Sequence, residues 1–135
     1  MLPSGLPEHI DAAEPLSRFL TSDSQFNRTM AKPSAFMPGP ADGNTSVFRL
    51  AADPLPAVWD IADREIGTER RVRAVAVLTA GDVRRVKLEV EADEPPPRHA
   101  NITGWPHIAS DPERMRAERK EFALLLAQAA TLHLR

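Results

Sequence analysis

Cysteine and tyrosine are both missing from this chain of 135 residues. Without cysteine there is no disulfide framework, thiolate zinc site, iron–sulfur cluster or cysteine nucleophile, and the composition fits a reducing compartment. Without tyrosine there is no phenol to act as acid or base. No apolar run approaches the roughly 20 residues that a membrane-spanning helix needs. The opening MLPSGLPEHIDAAEP lacks the basic start and apolar core of a secretion signal. We therefore expect a cytoplasmic protein with no membrane contact. A strong charge of either sign is also lacking: 17 basic and 19 acidic residues give a formal net charge of −2. Nothing global draws the chain to nucleic acid or to an anionic surface. GxGxxG, the P-loop, HExxH and GxSxG are all absent.

Proline, by contrast, is abundant, at 13 residues, and it punctuates the chain. Abundant Ala, Arg and Pro with little Lys suggests a GC-rich bacterial genome. The length fits one domain. Residues 1–15 are poor in apolar positions and read as a flexible or loosely docked tail. Residues 16–135 read as a single α+β domain. Leu16 to Leu20 suits either a helical turn or a strand, and Pro33, Pro38 and Pro40 forbid any long element after it. Ser46 to Leu50 reads as a strand. Asp53 as N-cap and Pro54 at the first helical position begin a central helix, with a stripe at Leu55, Val58, Trp59, Ala62 and Ile66 and a C-cap at Gly67. Arg71 to Leu78 reads as a covered strand, Thr79 and Asp82 cap a short helix, and Val86 to Ala92 alternates as a half-buried strand. Residues 93–109 read as a long proline-bounded loop. A last long helix starts near Ser110–Glu113, with Met115, Phe122, Leu125, Leu126, Ala129 and Leu132 as its apolar stripe. The expected fold is α+β: a small mixed sheet of about three to four strands, a central helix and a long C-terminal helix.

Arg98, His99, Asn101, Trp105 and His107 crowd the loop, and long ordered loops in compact domains tend to be functional. His99 and His107 are the candidate catalytic groups, as acid or base near neutral pH. Arg49 and Arg98 could clamp a phosphate or carboxylate, Asn101 could orient it and Trp105 could stack on a ring. The plainer reading gives Trp105 to the core and His99 and Asn101 to buried backbone groups. No metal is expected, because two loop histidines fall short of the three or four ligands usual for zinc, and no cofactor is implied. Arg49 more simply packs its stem along the sheet. The basic stretch 70–87 lacks interleaved aromatics and reads as a solvated face rather than a nucleic-acid patch. Ser46 and Ser110 carry no signature of a nucleophile.

Three strings, AFMP (Ala35 to Pro38), SVFR (Ser46 to Arg49) and RHANITGWP (Arg98 to Pro106), with a Trp-bearing helix between the second and third, resemble a family of small uncharacterised bacterial proteins. The resemblance runs from about Arg18 to the final helix. It implies a compact bacterial protein connected with mobile elements or defence, and singles out Arg49, His99, Asn101 and Trp105.

Two functions fit. The first is a small interaction or accessory protein that binds a protein partner and does no chemistry. The loop and the Phe26–Met37 region would supply its contacts. The second is an enzyme or ligand-binding domain for a nucleotide or RNA end, with Arg49 and Arg98 on the phosphate and His99 or His107 moving a proton. The first is favoured.

Overall fold

A computed structural model describes every residue from Met1 to Arg135. Its backbone is one six-stranded sheet in the order β4-β5-β2-β1-β3-β6. The strands are β1 (Pro15–Leu20), β2 (Thr45–Arg49), β3 (Ala74–Thr79), β4 (Glu89–Ala92), β5 (His99–Thr103) and β6 (Thr131–Leu134). Every neighbouring pair is antiparallel. The expected mixed sheet of three to four strands is thus corrected on both count and direction.

The extra strands lie where the sequence hides them. β1 is the ambiguous LSRFL segment, and it runs through the middle of the sheet between β2 and β3. β5 lies inside the expected long loop. Only Ala100 and Ile102 mark its buried side, while His99 and Asn101 face the other way with polar groups. β6 follows the last helix directly. Ala130 turns extended at ψ 149° and ends that helix, so Leu132 belongs to a strand rather than to the helical stripe. The finding of β5 also removes the long structureless loop, and with it the argument from loop length to function.

Helices cover both faces. One face carries α2 (Ala80–Arg85) and α3 (Pro112–Ala129), with a single 3-10 turn at Pro33–Ala35. These elements close over the larger core, in which Leu16, Phe36, Val47, Ile102 and Leu126 are fully buried. The opposite face carries α1 (Ala57–Glu65), whose Val58, Ile61 and Ala62 pack on Phe19, Phe48 and Val75. The Phe19 and Phe48 rings stack with centroids 5.3 Å apart. α1 starts at Ala57, later than the Asp53–Pro54 signal predicts, and Pro56 precedes it without a side-chain cap. Asp53 is engaged elsewhere: its Oδ2 lies 2.6 Å from Arg98 Nη2. α2 has the expected capping box between Thr79 and Asp82.

The N-terminal segment, expected as a flexible or loosely docked tail, is docked on the rest of the chain. Ile10 is buried in the larger core. Ala80 N–H donates to Glu14 C=O at 3.0 Å and Gly81 N–H to Ala12 C=O at 2.7 Å. A Cβ at Gly81 would meet that Ala12 oxygen at 3.0 Å, so the close approach favours glycine. Ser4 N–H donates to Glu94 Oε1 at 3.0 Å. Partial desolvation works against the Glu94 charge, but hydrogen bonds from Ser4 and from the Arg98 N–H outweigh it and hold the carboxyl below its ordinary pKa. No helix is long and apolar enough to cross a membrane.

Candidate functional site

Arg49 and Arg98 lie side by side, but their charges are engaged by the protein itself. Arg49 is 0% exposed. Its Nη2 donates to Glu14 Oε1 at 2.8 Å and its Nε to Oε2 of the same carboxylate. Its Nη1 donates to Pro7 C=O at 2.7 Å. The guanidinium is therefore the peg on which residues 7–14 hang, and a buried charge of this kind needs every partner it has. Arg98 sits in the left-handed region at φ 71°, and its C=O accepts the Arg49 N–H at 2.8 Å. Its guanidinium pairs with Asp53 and donates to Arg49 C=O at 3.2 Å. Neither arginine offers a free fork to a phosphate.

His99 and Asn101 stand on β5 facing β2, with Asn101 directly opposite Ser46. His99 Nδ1 lies 2.8 Å from the backbone C=O of Asp93. A carbonyl only accepts, so in the neutral ring Nδ1 carries the hydrogen. Nε2 is then the lone-pair nitrogen, and Ser46 Oγ–H donates to it at 2.7 Å. The Asp93 carboxylate lies 3.5 Å from Nδ1 and is held by Asn101 Nδ2 at 2.8 Å. Serine and imidazole thus stand as a hydroxyl and its base, the ring being oriented by the Asp93 backbone carbonyl with the carboxylate nearby. The Phe48 ring meets His99 edge-on, at 5.4 Å between centroids. The His99 side chain is 13% exposed. No local motif singles out Ser46 in the sequence, because it is the strand register that brings it to His99.

Trp105 takes the plainer of its two expected roles. It is 7% exposed in the larger core, and its indole N–H donates to Ile102 C=O at 3.1 Å, so no face is free for stacking. His107 is separate, lining a cavity of about 340 Å³ with the Gly39–Gly43 turn, Met115 and Arg119. No group of three or more His, Asp or Glu side chains is placed to hold a metal ion. Buried polar side chains are satisfied throughout, with no unpartnered atom.

One feature of the surface departs from this self-sufficiency. The outer side of α3 presents Leu124 and Leu125, 42% and 46% exposed. They line a shallow groove with Phe122, Glu118 and Glu121. The sequence assigned Leu125 and Ala129 to the core, but the fold covers only Ala123, Leu126 and Ala127 in that stretch. The apolar pattern is wider than the sheet can cover. Comparison with protein-family models, with curated proteins and with solved structures finds no match for this chain.

Proposed function

We propose that the protein is a small docking module whose partner is another protein, seated on the outer face of α3. The carrying observation is the adjacent pair Leu124 and Leu125, large apolar side chains exposed on the outer face of α3 beside Glu118 and Glu121. Paired apolar anchors beside polar residues are the pattern of an interface centre and its rim. Glu118 and Glu121 flank the groove, which suits a partner whose apolar knob is bordered by Lys or Arg. The reading places the protein in the bacterial cytoplasm, with its partner encoded in the same mobile-element or defence locus.

The test is native mass spectrometry of the tagged protein drawn from its own cells at low salt. The wild type should carry a stoichiometric protein partner. A Leu124→Glu, Leu125→Glu double variant should come through bare. Its melting temperature should stay close to wild type, because exposed substitutions usually change stability by less than about 0.5 kcal/mol. A bare wild-type chain, or a partner retained by the variant, would sink the reading.

A second reading, from a different class, is favoured by the 2.7 Å bond between Ser46 and His99. In it, Ser46 Oγ attacks the carbonyl carbon of an activated acyl ester, its proton passes to His99 Nε2 and then to the leaving alcohol, and the acyl group remains on Ser46. A fluorophosphonate probe should then add to Ser46, as read by peptide mass spectrometry. The addition should slow about 100-fold or more in His99→Gln, the usual scale for losing a positioned base. No adduct at Ser46 would end this reading. The nucleotide-directed reading draws less support, because Arg49 and Arg98 are both engaged by the protein itself.

A further inference from the structure

A cavity of about 600 Å³ runs beside β4. All four residues of β4 form one wall, Glu8–Ile10 form the other, and Arg84 of α2 completes the lining. Successive strand residues point to opposite faces of a sheet. A space lined by four in a row therefore lies along the strand's edge, and β4 is an outer strand.

The ladder to β5 decides which main-chain groups look into this slot. Asp93 N–H donates inward to His99 C=O at 2.9 Å. Bonded and non-bonded pairs alternate along an antiparallel ladder. Val90 and Ala92, opposite Ile102 and Ala100, therefore turn their N–H and C=O groups outward. The Val90 N–H bears this out: it is met by its neighbour's carboxylate, Glu89 Oε1, at 2.8 Å, and not by β5. Arg84 Nε donates to the same oxygen at 2.7 Å. The Val90 N–H first, and Arg84 after it, keep the Glu89 carboxyl below its ordinary pKa.

We infer that the slot receives an extended segment of another protein, which adds to β4 as a further strand and alternates small apolar residues with Lys or Arg. Main-chain bonds to Val90 and Ala92 supply the attachment, and alternate side chains supply the choice of partner. On one side of the slot Val90 and Ala92 join Ile10 at the larger core, which asks for small apolar residues. On the other side stand Glu89 and Glu91, both exposed. Glu8, Glu89 and Glu91 outnumber Arg84 as the formal charges of the lining, which asks for cations. A second copy of β4 is a poor occupant. Pairing it antiparallel sets Glu89 and Glu91 of one chain beside those of the other, and like charges placed opposite each other weaken a sheet. Entry requires the Glu89 carboxylate to release the Val90 N–H, so the edge is guarded until a strand competes for it.

This surface is separate from the α3 face, and the two stand or fall apart. The probe is a short, end-capped synthetic peptide of alternating valine and lysine, titrated into the full chain and followed by calorimetry and by amide chemical shifts. Saturable binding is expected, with shifts concentrated at residues 8–10 and 89–92. Ala92→Pro removes an outward N–H and leaves the β5 ladder whole, since proline is tolerated on edge strands. It should weaken binding about five- to tenfold, the effect of one main-chain hydrogen bond. Glu91→Lys, an independent exposed substitution, should weaken it by at least as much. The Leu124→Glu, Leu125→Glu variant should bind the peptide unchanged. No saturable binding overturns the inference. So does equal binding of a peptide N-methylated at alternate amides, which would reduce the contact to charge alone. Shifts centred on α3, or self-association of the chain through β4, would overturn it as well.

Discussion

Arg49→Met should lower the unfolding free energy by about 3–5 kcal/mol, the usual consequence of removing one partner from a buried ion pair. The chain should show a sharply lower denaturant midpoint. The reason is the number of groups that lose their partner together. Glu14 is left without its cation, and the Pro7 carbonyl without its donor. Those groups fasten the segment that carries Ile10 into the core, so hydrogen exchange over residues 7–14 should accelerate with the global loss. Arg49→Lys should rescue only part of the stability. An ammonium cannot present the forked donor that holds both Glu14 oxygens and Pro7 at once. If Arg49→Met unfolds at the wild-type midpoint, the guanidinium is not the anchor described above.

The second large effect concerns Trp105. Trp105→Ala should cost about 3–5 kcal/mol by opening a cavity in the larger core. In urea this appears as an earlier midpoint with a similar slope. A fluorescence signature should accompany it, because the chain has two tryptophans and the partly exposed Trp59 would remain as the only reporter. Loss of a partner in this variant would therefore report unfolding, not a missing contact. A variant that kept the wild-type midpoint would show that the indole is not a core element.

Much of the fold was legible where local signals are strong. The capping box of Thr79 and Asp82 and the start of α3 stand where the sequence puts them, whereas the strand expected from Val86 begins only at Glu89, because Val86 and Lys87 turn the chain out of α2 with Lys87 at φ 73°. What escaped was pairing. His99-Ala-Asn-Ile-Thr103 is too short and too polar to stand out between prolines, and it becomes a strand because β2 and β4 flank it on both sides. β6 escaped for the opposite reason, since Leu132 extends a helical stripe by one more apolar position. Of the candidate site, the sequence names Arg49, Arg98, His99 and Asn101 but leaves open whether Arg49 lies near the other three, and it does not show where their side chains point. Strand parity turns Arg49 to one face and His99 to the other, and parity follows from register. The partnership of Ser46 with His99 is hidden for the same reason.

The strand order has a further consequence for how the molecule carries load. Pro15 lies opposite Thr79 and Leu20 opposite Ala74, while Val77 lies opposite Thr131 and Ala74 opposite Leu134. β1 and β6 therefore point the same way on either side of β3, with the start of β1 and the end of β6 at opposite ends of the sheet. Tension applied between Pro15 and Leu134 runs along these strands rather than across them. The hydrogen bonds of both ladders share it side by side, as in a lap joint pulled lengthwise, instead of opening one at a time like a peeled seam.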